Sequence, residues 1–109
     1  MTDHNKKLEE LILATIQQGG SDLHLGAGRL PAIRVEGELI FLIKQEALTQ
    51  DDMKDILGEF LDKEKVEKFL EEKEADFSYE FKGNTRLRGN AFFQKGLINI
   101  ALRIVEKVK

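Results

Sequence analysis

Apolar residues recur at helical spacing in three parts of the chain. The first stripe lies between residues 5 and 18, and Gly19-Gly20 predicts its end because glycine readily adopts the left-handed conformation that closes a helix. Thr49-Gln50-Asp51-Asp52 begins a second helix with a pattern like a capping box, and a charge-rich third helix follows. The predicted inward positions are Leu8, Leu11, Ile12 and Ile16, then Met53, Ile56, Leu57, Phe60 and Leu61, then Val66, Phe69 and Leu70.

Apolar and polar residues alternate in the rest of the chain, which indicates strands. Short strands are predicted at residues 22–25, 33–35 and 38–43, with a tight turn at Glu36-Gly37 between the last two. Three longer strands follow between residues 75 and 105. The order of helix, strands, two helices and three strands predicts an α+β domain with an antiparallel sheet and helices packed on it.

In the first of the two C-terminal hairpins, the alternation of apolar and polar side chains determines the strand register. A three-residue loop at Lys82-Gly83-Asn84 sets Tyr79 opposite Leu87 and Glu80 opposite Arg86. This register keeps the aromatic and aliphatic side chains on one face. A two-residue loop places the aromatic side chains behind the arginines, so we reject it.

In the second hairpin, a two-residue turn at Lys95-Gly96 sets Arg88 directly opposite Arg103, although one extra loop residue reverses the parity. Like charges opposite each other are unfavourable, which suggests an anion over them, and guanidinium groups suit phosphate or carboxylate. A plainer interpretation stays open, in which Arg86 pairs with Glu80, Arg103 lies over the sheet edge and nothing binds. The polar residues predicted on this face are Arg86, Arg88, Asn90, Asn99 and Arg103.

Composition narrows the class of protein. With 109 residues the chain forms one domain, and without cysteine it has neither disulfides nor thiol chemistry. Two histidines do not suffice for a metal centre, so we expect no metal site. A net charge of -3 argues against nucleic acid as a partner. The longest apolar run, residues 39–43, is far shorter than a membrane span, and the polar N-terminus has no apolar signal region, so we expect a cytoplasmic protein.

Two motifs that resemble catalytic elements are incomplete. Gly26-Ala27-Gly28-Arg29 lacks the lysine and hydroxyl residue of a phosphate-binding loop, so the chain alone should not hydrolyse ATP. Ser21, Asp22 and His24 are neighbours on one short strand and cannot point at a common atom, so we do not interpret them as a catalytic triad.

Six segments follow one another in a pattern that extends from about Leu8 to Ile104. They are GGSDLHL at 19–25, Pro31 with IRVEGEL at 33–39, LT at 48–49, DFSY at 76–79, RLRGNAFFQ at 86–94 and LRI at 102–104. In this order they resemble the N-terminal domain of the PilT-type pilus-retraction ATPases of the type II/IV secretion ATPase superfamily. The family usually has a bulkier residue, often valine, at the position of Gly89, and two prolines where this chain has Leu30-Pro31.

The resemblance implies that residues 1–109 form a PAS-like domain without the RecA-like ATPase domain that follows it in the family. Family members form cytoplasmic hexameric rings, peripheral at the inner membrane, which drive type IV pilus retraction and twitching motility and reach the membrane platform protein indirectly. ATP and Mg²⁺ lie in the cleft between the two domains, and this domain also packs on the neighbouring subunit's ATPase domain. The domain alone is expected to hold no cofactor.

By motif position, Arg88 is the best candidate for contact with the nucleotide phosphates, and Arg86 and Arg103 come next. Asp22 and His24 match the family's Ser-Asp-x-His element, for which we expect a hydrogen-bonding role in the structure or at a subunit interface. Two alternatives stay open: a domain of a pilus-assembly or type II secretion ATPase, and a free-standing PAS-like adaptor module.

Overall fold

The computed structural model of the chain describes residues 4–83 and 85–107. They form three helices and one six-stranded antiparallel sheet, which confirms the predicted α+β class. The elements are α1 (His4–Gln17), β1 (Asp22–Gly26), β2 (Ala32–Val35), β3 (Glu38–Phe41), α2 (Gln50–Phe60), α3 (Lys63–Glu72), β4 (Glu74–Phe81), β5 (Thr85–Gln94) and β6 (Leu97–Lys107).

The strands lie in the order β3-β2-β1-β6-β5-β4, so the first and last strands of the chain meet in the middle of the sheet. The β4–β5 pairing sets Tyr79 opposite Leu87, and the β5–β6 pairing sets Arg88 opposite Arg103. Both predicted registers are therefore confirmed. The plainer interpretation, in which Arg103 lies over the sheet edge, is wrong on this point, because β6 is paired on both sides.

The helices and one face of the sheet enclose a single apolar core. α1 contributes Leu8, Leu11 and Ile12, and α3 contributes the buried ring of Phe69. Leu70 was predicted to face inward, but 43% of its surface is exposed, so that prediction is wrong. No helix in the described ranges is long and apolar enough to cross a membrane.

The capping box predicted at Thr49 is present at the start of α2. The hydroxyl of Thr49 accepts a hydrogen bond from the backbone N–H of Asp52 at 3.0 Å, and the carboxylate of Asp52 accepts one from the N–H of Thr49 at 2.9 Å. Two N–H groups that the helix cannot satisfy itself thus find partners.

Replacing Thr49 with alanine should lower the free energy of unfolding by about 1 kcal/mol, because the N–H of Asp52 then loses its acceptor. Urea unfolding followed by circular dichroism measures this change. Thr49→Ser is the matched control, since it keeps the hydroxyl and should stay close to the parent chain. Equal midpoints for the alanine and serine variants would contradict the prediction.

Candidate functional site

The face of the sheet turned away from the core carries the polar residues, and we call it the outer face. Directly opposed residues of antiparallel strands project to the same face, so the registers place one row of side chains across five strands. From β2 to β4 this row consists of Arg34, Asp22, Arg103, Arg88 and Ser78. The predicted arginine pair is therefore present, and β1 and β2 add a carboxylate and a third arginine to it.

A groove of about 530 Å³ lies over the outer face beside this row. His24 and Asn90 line it together with members of the row, and the amide of Asn90 donates to the carboxylate of Asp76 at 2.8 Å. Two arginines and two carboxylates line the groove, so it combines sites for an anion with internal counter-charges.

Arg88 is the member of the row with the most freedom to bind an anion. Its side chain is exposed, and it makes no hydrogen bond or ion pair with the residues that the structure describes. Arg86 lies on the same face opposite Glu80, as the plainer interpretation expected. The predicted ranking of Arg88 ahead of Arg86 thus has a physical basis, although contact with phosphate stays a prediction.

Arg103 has a partner within the chain. Its Nε donates to Oδ1 of Asp22 at 3.0 Å, and its side chain is 72% exposed whereas that of Asp22 is 10% exposed. Burial raises the pKa of Asp22, but the hydrogen bonds from Ser21 and then from Arg103 outweigh it, and the pKa lies below its ordinary value. Asp22 therefore has the structural hydrogen-bonding role that was expected for it, while a role at a subunit interface stays a prediction.

Ser21 and His24 do not form a catalytic arrangement with Asp22. The hydroxyl of Ser21 donates to Oδ2 of Asp22 at 2.6 Å, and Nε2 of His24 is buried without a hydrogen-bond partner among the described residues. The hydroxyl of Ser21 is directed to Asp22 rather than to His24, which is not the arrangement of a Ser-His-Asp triad. Burial lowers the pKa of His24, the charges of Arg34, Arg29 and Arg103 lower it further, and Asp22 opposes them.

The pKa of His24 predicts a pH dependence of stability. The unfolded chain binds a proton at the ordinary pKa of 6.5, whereas the folded chain resists protonation at this side chain. The free energy of unfolding should therefore fall as the pH is lowered from about 7.5 to about 5.5. His24→Gln should show a shallower fall in urea unfolding measured at both pH values. Equal falls in the two chains would contradict the prediction.

Asn99 shares the outer face, as predicted, but internal contacts hold it. Nη2 of Arg29 donates to its side-chain oxygen, and its own amide donates to the backbone carbonyl of Leu97 at 3.1 Å. Asn99 is also buried, so it is not open to a ligand in the way that Arg88 is. Sequence reasoning missed Arg29 and Arg34, because both reach this face from loops and strands distant from the C-terminal hairpins.

Known proteins resemble this chain over most of its length. No protein-family model matches it. Type IV pilus ATPase PilU of Pseudomonas aeruginosa is 29% identical over 100 residues, which cover 92% of this chain and 26% of PilU. Type IV pilus retraction ATPase PilT of the same organism is 37% identical over 87 residues, which cover 80% of this chain and 25% of PilT. The chain thus spans about a quarter of the length of these curated relatives.

The comparison with solved structures gives the same result as the comparison of sequences. A crystal structure of the pilus retraction motor PilT with bound ADP matches with a TM-score of 0.78 and 35% identity, covering 88% of this chain and 28% of that one. The ATPase DotB of Legionella pneumophila matches with a TM-score of 0.75 and 21% identity, covering 91% and 28%, and this similarity shows the fold alone.

The open, arginine-bearing sheet and these similarities define the class of protein. The chain corresponds to the N-terminal domain of a type II/IV secretion ATPase. Within that superfamily it is similar to PilT, which matches this chain in both sequence and structure. The resemblance drawn from the six ordered segments is confirmed.

Proposed function

We propose that this domain serves a PilT-type motor ATPase that retracts type IV pili, by presenting Arg88 to the phosphates of a nucleotide held by a RecA-like domain. The observation that carries the proposal is an exposed guanidinium that has no hydrogen-bond or ion-pair partner in the described part of the chain. It lies directly opposite a second arginine and lines a groove of about 530 Å³. ATP turnover by the full-length motor with Arg88→Ala tests it.

The chemistry expected of Arg88 is charge neutralisation. Phosphoryl transfer spreads negative charge over the oxygens of the transferred group, and a guanidinium fixed beside them stabilises that charge. Arg103 lies opposite Arg88 and is the natural second contact, while Arg86 is the more peripheral candidate. Mg²⁺ and the phosphate-binding loop belong to the other domain in this proposal. A nucleotide bound there would contact both domains, and its binding would therefore change the angle between them.

The apolar edge of the sheet supports contact with another domain or subunit. β3 is one of the two edge strands. Leu39 and Phe41 in it are 42% and 51% exposed, and Ile43 just beyond it is 81% exposed. Exposed apolar side chains grouped in this way are typical of interaction surfaces. In this proposal the edge contacts the RecA-like domain of the same or a neighbouring subunit in a homo-hexamer. The hexamer is cytoplasmic, lies at the inner membrane, and acts on the pilus platform protein indirectly.

The isolated chain should bind ATP only weakly, with a Kd on the order of millimolar or higher, because exposed ion pairs contribute little in water. The sequence has no phosphate-binding loop to add affinity. Isothermal titration calorimetry with Mg-ATP measures the affinity. A micromolar Kd would place a complete nucleotide site within this chain and contradict the proposal.

A domain of a pilus-assembly or type II secretion ATPase is the second candidate, and the fold of the ATPase DotB, which is also similar, is compatible with it. A free-standing adaptor module is the third. The sequence encoded after Lys109 in the parent gene separates them: a G-x-x-x-x-G-K-[ST] loop there supports a motor, and its absence supports an adaptor. Pilus retraction in cells that lack the parent protein then separates the pilus motor from the secretion motor.

A further inference from the structure

The ion pair between Asp22 and Arg103 uses one edge of the guanidinium and leaves the rest free. Nε is the donor to Asp22, and no other hydrogen bond of Arg103 occurs among the described residues. A guanidinium has five N–H donors, so four remain on the two terminal nitrogens. The side chain is 72% exposed, and these donors are accessible from the outer face.

Asp22 is a fixed anchor for that edge. It lies on β1, which is paired on both sides, and only 7% of the residue is exposed. Its second oxygen accepts the hydrogen bond from Ser21, so both oxygens of the carboxylate are occupied. A buried carboxylate with both oxygens engaged has little freedom to turn, and it restrains the long arginine that it holds.

We infer that Asp22 is a positioning residue that orders Arg103 so that its terminal nitrogens and Arg88 can bind one phosphate together. Arg88 and Arg103 are directly opposed on adjacent strands, where Cβ atoms are separated by about 5 Å, and two guanidinium groups at that spacing can share one phosphate. This inference rests on the proposed function. Asp22 reduces the side-chain freedom that Arg103 would otherwise lose on binding.

The negative charge of Asp22 acts in the opposite direction, because it repels an incoming anion. A matched substitution at Asp76 separates the loss of charge from the loss of positioning. Asp76 lies on the same face and lines the same groove, but its hydrogen-bond partner is Asn90 rather than an arginine. Asp22→Ala and Asp76→Ala remove the same charge, and only the first removes an anchor from an arginine.

The experiment uses this chain, inorganic tripolyphosphate as the probe, and NMR of the arginine Nε–Hε groups. In the parent chain we expect Arg103 to be more ordered than Arg88, and both signals to shift with tripolyphosphate. In the Asp22→Ala variant the side chain of Arg103 should become more mobile. Tripolyphosphate should bind to this variant about threefold more weakly than to Asp76→Ala, the effect expected from ordering one long side chain. The Asp22→Asn variant keeps an acceptor oxygen, so it should restore part of the order of Arg103 and part of the affinity for tripolyphosphate. It should also fold even where the alanine variant does not.

A double-mutant comparison completes the test. In an Arg103→Ala background, Asp22→Ala should bind tripolyphosphate no more weakly than Asp76→Ala, because there is no longer an arginine for Asp22 to order. The inference is overturned if Arg103 stays ordered without Asp22, or if the two alanine variants bind alike. A shift at Arg88 without one at Arg103 overturns this inference alone, whereas no shift at either arginine also counts against the proposed function.

Discussion

Replacing Arg88 with alanine in the full-length motor should lower ATP turnover by at least about a hundredfold, the loss found when a single transition-state donor is removed. The guanidinium is exposed and bound to no described residue, so its removal leaves no buried partner unsatisfied. Fold and stability should therefore change little. Steady-state phosphate release measures turnover, and circular dichroism with thermal unfolding measures the fold.

Two further variants make this result specific. Lys68→Ala removes a positive charge from the exposed side of α3, and it should leave turnover unchanged. Arg88→Lys keeps the charge but loses the planar fork that binds two phosphate oxygens, so it should recover only part of the activity. Unchanged turnover in Arg88→Ala would remove Arg88 from the nucleotide site, and equal losses in Arg88→Ala and Lys68→Ala would indicate a general effect of charge.

The arginine pair could be predicted from the sequence because local rules determine it. Two-residue periodicity fixes which side chains share a face, and the Lys95-Gly96 turn fixes the register of the strands on either side. Both turn residues have positive φ, 53° and 80°, as the two-residue hairpin turn requires. Once the turn has two residues, these rules place Arg88 opposite Arg103.

The carboxylate that completes the row could not be predicted in this way. Asp22 and Arg103 are 81 positions apart, and they meet because β1 inserts between β2 and β6. No turn connects β1 to β6, so the sequence contains no local signal for their register. The motif match pointed to Asp22 without its partner. The same limit applies to Arg29, whose contact with Asn99 spans 70 positions.

The exposure of Leu70 shows a different limit of prediction from the sequence. Its spacing from Val66 and Phe69 fits a helical stripe, and the prediction followed from that spacing. α3 is a short helix that buries only Phe69 fully against the sheet, while Val66 is partly buried and Leu70 is 43% exposed. Periodicity identifies the apolar side of a helix, but the width of the contact depends on the surface that it meets.

Gly89→Val should destabilise the chain by about 2 kcal/mol, typical of overpacking. A Cβ atom at Gly89 would lie 2.2 Å from two ring atoms of Phe77, and that ring is stacked on Phe60 with a centroid distance of 4.6 Å. Phe77 therefore cannot turn aside without losing its own contact. Gly89 lies within a continuous strand and outside the left-handed region, so the cost is one of space rather than of backbone conformation.

The family preference for a bulkier residue at this position predicts how the loss can be reversed. Phe77 is paired directly with Gly89 across β4 and β5, so a large and a small residue share one space there. Phe77→Leu alone should be destabilising, because it leaves a void over the glycine. Phe77→Leu combined with Gly89→Val should cost less than the sum of the two single changes, by about 1 kcal/mol or more in urea unfolding. Additive costs would mean that the ring of Phe77 is not what excludes a side chain at Gly89, and that this departure from the family pattern has another origin.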